Sequence, residues 1–166
     1  MKLREATTDD LPDLHALIES AYRGETARAG WSHEADLLEG ERTDQAELGA
    51  MLANPAQHLL LFHDGERPAC CVALTRKDEG LVYLGLLTVD PARQASGLGR
   101  MMLAATEDHA RADLGARRIE MTVIGLRTEL IAWYERRGYA ATGERRPFPI
   151  DGHEELEFVV LEKSLL

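Results

Sequence analysis

The stretch from Leu81 to Leu114 constrains the fold of this chain more than any other. It opens on an apolar run, Leu81 to Val89, with no charged residue, the pattern of a strand buried on both faces. Pro91 closes the strand, and the turn Asp90-Pro91-Ala92-Arg93-Gln94-Ala95-Ser96-Gly97-Leu98-Gly99-Arg100 follows. Beyond it, Leu98, Met101, Met102, Ala105 and His109 fall on one face, which predicts a helix over 97–114 with Gly115 as its stop. A helix entered through such a turn presents first-turn N–H groups that have no intrahelical acceptor, and its dipole favours negative charge there. Gly97 and Gly99 allow a diphosphate to approach the backbone without a Cβ in the way, and Arg93 and Arg100 add positive charge. Strand, turn and helix start together read as an anion site.

A glycine pair before a helix can also do no more than pack that helix close to a sheet. The dinucleotide fingerprint needs three glycines and the Walker A loop needs Gly-Lys followed by Ser or Thr; the chain has neither. A second landmark gives the turn its context. Leu130-Ile131-Ala132-Trp133-Tyr134-Glu135-Arg136-Arg137-Gly138-Tyr139 reads as a helix carrying a tyrosine, then a glycine and an aromatic that open the next strand. The two landmarks, in this order and spacing, resemble those of the GCN5-related N-acetyltransferases. That family's coenzyme-A pyrophosphate loop has Gln or Arg, two residues, Gly, one residue, then Gly or Ala. Gln94, Gly97 and Gly99 meet the pattern.

Size and composition agree with such a domain. At 166 residues, 45% of them apolar, the chain suits one globular domain over residues 1–166 with a real core. No apolar run approaches the roughly 20 residues of a membrane span, and Met1 to Glu5 lacks the apolar core of a secretion signal. Cys70 and Cys71 are neighbours in a predicted strand and should point to opposite faces, so no disulfide, no zinc site and a cytoplasmic location are expected. A net charge of −10 and a pI near 5.1 argue against nucleic acid and against anionic membrane surfaces as partners. That field would attract a cationic amine, although an acidic surface also serves plain solubility.

Along the chain, Met1 to Ala6 reads as a first strand. Thr8-Asp9-Asp10 supplies capping chemistry for a helix with Leu11, Leu14, Leu17, Ile18 and Tyr22 on one face. Residues 24–44 read as a loop with a short helix, and 44–52 as a further helix stopped at Asn54-Pro55. A meander follows, with strands over 58–63, 68–76 and 81–89 and turns at Asp64-Gly65 and Asp78-Glu79-Gly80. After the helix over 97–114 come a strand over 118–124, a helix over 129–137 and strands over 139–144 and 155–162.

The resemblance implies a mixed α/β (α+β) fold: a twisted, mostly antiparallel sheet flanked by helices, whose fourth and fifth strands splay apart to admit the pantetheine arm. Those strands would be 81–89 and 118–124. It implies acetyl-CoA as co-substrate, no metal, and direct attack by the primary amine of a small molecule in a ternary complex. A protein or peptide acceptor, or an acyl-CoA-binding module without catalysis, are the alternatives on the same fold, and a homodimer is allowed for. Coenzyme contacts would come from the main chain of Leu87, Thr88 and Val89 and from Gln94, Ala95, Ser96, Gly97, Leu98, Gly99 and Arg100. Tyr134 matches the family tyrosine near the coenzyme sulfur, placed to protonate the departing thiolate. Where relatives often have a coenzyme-contacting asparagine, seven residues earlier, this chain has Arg127. Arg136 and Arg137 either approach the coenzyme 3′-phosphate or sit at a solvated helix end, the reading preferred here. His109 is expected to be a satisfied core histidine.

The residues name no base. The strand 81–88 has no carboxylate, which leaves Glu120, Glu34, His153 or loss of the amine proton to water. The acceptor site is expected from the segments 22–42 and 145–153, with Tyr22, Arg23, Trp31, Glu34 and Arg42 in the first and Arg145 and Arg146 in the second. The arginine pair would grip a carboxylate and suit an amino acid-like acceptor; Glu34 would suit a polyamine or aminoglycoside.

Overall fold

Alternation along two neighbouring strands builds two cores, one on each side of a sheet. On β2 (Gln57–Asp64), Leu60 and Phe62 face one side while Leu59 and Leu61 face the other. On β3 (Arg67–Arg76), Cys70, Val72 and Leu74 join the first core, and Cys71 and Ala73 the second. This is the period-2 geometry of a strand covered on both faces. The adjacent cysteines therefore do point apart, both fully buried as free thiols. Burial pushes each thiol up to about 12, so neither is available as a thiolate nucleophile near neutral pH.

The computed structural model describes residues 2–23, 42–65, 67–149, 152–153 and 155–166. The remaining elements are β1 (Leu3–Glu5), α1 (Leu11–Tyr22), α2 (Gln45–Ala53), β4 (Leu81–Val89), α3 (Leu98–Leu114), β5 (Arg118–Ile124), α4 (Thr128–Glu135), β6 (Ala140–Pro147) and β7 (Glu157–Ser164). The strands form one seven-stranded sheet in the order β1-β2-β3-β4-β5-β7-β6, antiparallel except for β4 beside β5. Helices α1 and α2 cover one face through Leu14, Leu17, Ile18 and Leu48. Leu98, Met102, Leu103, Ala110 and Leu114 of α3, with Tyr134 of α4, cover the other. A buried leucine of this kind contributes about 1.5–3 kcal/mol, enough to hold both layers against the sheet.

One irregularity opens the sheet. β4 and β5 pair only over Leu81↔Arg118, Val82↔Ile119 and Tyr83↔Glu120; beyond Tyr83 they part, as the family resemblance implied. At the same place β4 carries an extra residue against β3. The register steps from Cys71↔Thr88 to Ala73↔Gly85, and Leu86 takes a φ of 54°. A bulge adds local twist and bends its strand, which turns the end of β4 away from β5.

Several expectations shift by a few residues. Met101 is exposed, so the buried stripe of α3 runs through Leu98, Met102, Thr106 and Ala110. Asp44 is the N-cap of α2, its side chain accepting from the Glu47 N–H at 2.7 Å. His109 is only half-satisfied: Nδ1 lies 2.9 Å from Asp113, while Nε2 is buried with no partner among the described residues. β6 runs on to Pro147, longer than its sequence suggests, and β7 starts at Glu157. The loop and short helix expected before residue 42 fall largely on 24–41, outside the described residues.

Candidate functional site

The turn after β4 is built to expose backbone N–H groups. Asp90 accepts from the Ala92 N–H at 3.0 Å and starts a single 3-10 turn, Pro91–Arg93. Gln94 donates from Nε2 to the Val89 carbonyl at 3.2 Å, which folds the loop back on the strand end. Ala95 and Gly97 then adopt positive φ, 67° and 87°, reversing the chain into α3. The first α-helical bond is from the Met101 N–H to the Gly97 carbonyl, so the N–H groups of Leu98, Gly99 and Arg100 have no intrahelical acceptor. A cavity of about 440 Å³ lies against this turn. Its walls include Leu87, Thr88 and Val89 on one side, Gln94 to Gly97, Gly99 and Arg100 at one end, and Leu130, Trp133, Tyr134 and Arg137 on the other. Of the ten positions expected at the coenzyme, nine line it. Leu98 does not: its side chain is buried in the core, 5% exposed, and its main-chain N–H is what it offers at the helix start.

The cavity suits a diphosphate by its shape and by its donors. A Cβ added at Gly99 would lie at ordinary contact distance, 3.5 Å from Val89 Cγ2 and 3.6 Å from the Trp133 ring, between residues that line the cavity. Arg137 corrects the reading of a solvated helix end. Its guanidinium stacks 3.8 Å from the Trp133 ring centroid, and Nη1 donates to the Trp133 carbonyl at 2.7 Å. Burial, then the charges of Arg136 and Arg100, lower its pKa, and it stays protonated as arginines do. Arg136 is exposed and lies outside the cavity lining.

A second cavity, about 210 Å³, opens in the gap between β4 and β5. It shares Tyr22, Leu87, Leu130 and Tyr134 with the first, so the two meet at those four residues. Tyr22 is fixed there by donating its hydroxyl to the Leu87 carbonyl at 2.5 Å, and the Arg42 guanidinium lies 5.5 Å above its ring. Tyr83 and Thr122 share a hydrogen bond of 2.6 Å across the narrow end of the gap. Phe148 and Phe158, ring centroids 5.2 Å apart, supply an apolar wall. Arg23, Arg42 and Arg127 supply its charge.

Tyr134 stands at the junction. It is 6% exposed, held edge-on between Trp133 at 5.0 Å and Tyr139 at 5.7 Å, and its hydroxyl makes no hydrogen bond among the described residues. Burial raises its pKa well above the ordinary phenol value, with the neighbouring Tyr22 adding to the rise and Arg127 opposing it. Such a phenol is a proton donor at every ordinary pH. Neither cavity is lined by a carboxylate or an imidazole among the described residues.

The remaining expectations divide. Tyr22, Arg23 and Arg42 line the second cavity; Trp31 and Glu34 lie outside the described residues. Arg145 and Arg146 line neither cavity, because β6 carries them along the sheet edge beside β7. Arg145 pairs with Glu157 at 2.8 Å, and Arg146 with Glu144 and with Glu120 at 3.4 Å. Glu120, held in that pair, and His153, 3.7 Å from Glu155 and packed edge-on to Phe148, line neither cavity. Arg127 was singled out only as a departure from the family pattern, and nothing in the sequence drew attention to Phe148 and Phe158 together, since ten residues separate them.

Comparisons with known proteins follow the same outline. The model of the acetyltransferase (GNAT) family matches residues 11–139. Among solved structures, the chain is similar to a GNAT-family protein from Desulfovibrio desulfuricans, at 22% identity over 99% of each chain and a TM-score of 0.75. It is similar to the ribosomal-protein-S18-alanine N-acetyltransferase of Escherichia coli, at 16% identity over 99% of this chain and 93% of that one, TM-score 0.74. A variant of the spermidine N-acetyltransferase of Vibrio cholerae gives 14% identity, 99% and 95% coverage and a TM-score of 0.74. At such identities the likeness is one of fold, and the acceptors named differ widely. No curated protein sequence matches the chain significantly.

Proposed function

Because the chain belongs to the GNAT acetyltransferase family, we propose that it transfers the acetyl group of acetyl-CoA to the primary amine of a small molecule, by direct attack in a ternary complex. Residues 1–166 are read as one such domain. The observation that carries the proposal is the meeting of two cavities at Tyr134, one against an anion-binding helix start and one in the gap between β4 and β5. Bound in the first cavity, acetyl-CoA supplies an acyl carbon activated as a thioester. The N–H groups of Leu98, Gly99 and Arg100, with Arg100 and Arg137, hold the phosphates. The main chain at Leu87 to Val89, unpaired towards β5, satisfies the amides of the arm.

Tyr134 gives its proton to the departing sulfur as the new C–N bond forms and the C–S bond breaks. It recovers a proton from the water that accepts the amine's proton, the cavities offering no described carboxylate or imidazole for that task. The second cavity, at about 210 Å³, is smaller than the roughly 300–1,000 Å³ of sites for drug-sized ligands, which favours a small acceptor. The test has two readouts. Acetyl-CoA at 100 times its Kd should stabilise the fold by about 2.7 kcal/mol, and free thiol should appear when an amine panel is added. A melting temperature indifferent to millimolar acetyl-CoA would overturn the coenzyme assignment. Binding without thiol release from any amine would overturn the transferase assignment.

A further inference from the structure

Resting on that reading, we infer that Thr88 is a positioning residue for the coenzyme: its buried hydroxyl holds the bulge that keeps β4 apart from β5 and open to acetyl-CoA. Val82, Leu84, Leu86 and Thr88 are the buried positions of β4, and Thr88 is the one polar residue among them. Its exposure is 1%, and valine would fill almost the same space with no hydroxyl to satisfy. The hydroxyl has a specific partner. Oγ1 donates to the Leu86 carbonyl at 2.7 Å, two residues back along the same strand. The buried Cys71 thiol reaches that carbonyl from β3 at 3.9 Å.

The strand exchanges its two faces at Leu86. Val82 and Leu84 belong to the core under α3, whereas Leu86 belongs to the core under α1 and α2. Beyond it, Leu87 and Val89 pack against the first core. Regular alternation would keep residues 82, 84 and 86 together, so the bulge turns the rest of the strand over. Its hinge is a leucine at a φ of 54°, a conformation that persists only where the surroundings hold it. The bond from Thr88 spans that hinge and ties the strand beyond it to the carbonyl at its centre. Thr88 itself lines the first cavity between Leu87 and Val89, with its hydroxyl given to Leu86 rather than to a ligand. Without the tie, β4 can relax towards regular pairing, and the edge at Leu87 to Val89 shifts away from the coenzyme arm.

Variants that separate the hydroxyl from the packing test this. Thr88→Val keeps the branched shape and removes the hydroxyl; Thr88→Ser keeps the hydroxyl and removes a methyl group. The Kd for acetyl-CoA would be measured by calorimetry, with KM and kcat on any acceptor that the amine panel yields. Thr88→Val should bind acetyl-CoA about tenfold more weakly than Thr88→Ser, the scale of one buried hydrogen bond. KM should rise in step, and kcat at saturation should differ between the two by less than about threefold. A residue that only fills the core predicts the reverse order, because serine leaves a void and valine does not. Equal Kd values, or weaker binding by Thr88→Ser, would therefore overturn the inference and leave the transferase standing. If Thr88→Val fails to fold, Thr88→Ser against Thr88→Ala decides by the same order, since those two differ by the hydroxyl alone. A wild-type protein that does not bind acetyl-CoA would overturn this inference together with the reading beneath it.

Discussion

The two cavities that meet at Tyr134 are built in opposite ways. The first is dominated by one piece of chain: the fourteen residues from Leu87 to Arg100 supply a strand edge, a turn and a helix start, against a wall from α1 and α4. The second is assembled from seven separate places, namely the end of α1, the residue Arg42, the diverging edges of β4 and β5, the start of α4, the end of β6 and the start of β7. On the proposed function, the first would recognise its ligand mainly with backbone N–H groups, which every side-chain sequence carries provided the turn forms. The second would recognise its ligand with side chains that share no local pattern. A coenzyme common to many enzymes suits the first arrangement, and an acceptor particular to one enzyme suits the second.

That contrast can be broken at its stiffest point. Gly99→Val should remove acetyl-CoA binding: a single Cβ there makes ordinary contacts, 3.5 Å from Val89 and 3.6 Å from Trp133, and the two further methyls of valine take up space against the turn that the diphosphate needs. The thermal shift should vanish and kcat/KM for acetyl-CoA should fall by about 10³-fold or more, a loss of roughly 4 kcal/mol; an unchanged shift would show that the turn does not hold the phosphates. At the junction, Tyr134→Phe keeps the ring between Trp133 and Tyr139 and removes only the donor. Its kcat should drop by about 10²-fold with the KM for acetyl-CoA little changed. Because burial raises the phenol's pKa, the donor stays protonated through the alkaline range, and any high-pH fall in rate should be the same in wild type and variant. An alkaline limb that disappears with the hydroxyl would contradict the buried, neutral phenol.

Smaller effects separate neighbours in sequence. Arg137→Ala should weaken acetyl-CoA by about 10-fold or more, the worth of a charge-assisted contact, whereas Arg136→Ala should leave its Kd within twofold, because only Arg137 is stacked into the cavity. Equal losses in a titration of both variants would return the pair to a diffuse field at the helix end. Arg145→Ala and Arg146→Ala should change acceptor KM by less than twofold. Arg145 and Glu157 are 60% and 51% exposed, so losing their pair should cost ~1 kcal/mol or less in denaturant melts. A large rise in acceptor KM in either variant would place the acceptor along β6 after all.

The same contrast explains what could be read from the sequence. The strand, turn and helix start that line the first cavity were legible because their determinants are local: an apolar strand, Pro91, Gln94 and two glycines before a helix. Tyr134 was legible through its family landmark, Gly138-Tyr139 following the helix. The element order was legible from periodicity and turn residues. The bulge at Leu86 was not, since nothing in an unbroken apolar run announces a leucine at positive φ. Nor was the second cavity. Arg145 and Arg146 drew attention as a pair followed by two prolines, which reads as a stiff loop, yet Pro147 only ends β6, and a proline is tolerated on an edge strand. Their carboxylate partners lie at Glu157 and Glu120, across strand pairings that only the fold reveals. Arg127 reaches the cavity from the N-cap of α4, a position whose significance depends on where β5 has delivered it.

The central claim is that both substrates are present together where the cavities meet, so that the acetyl group passes directly between them. Initial velocities over a matrix of acetyl-CoA and acceptor concentrations test it most directly, with intact mass spectrometry of the enzyme after acetyl-CoA alone. Both cysteines are buried with thiols pushed up to about 12, and the account predicts intersecting reciprocal plots with no acetylated protein. Parallel plots, with a stoichiometric acetyl-enzyme that the acceptor discharges, would contradict it.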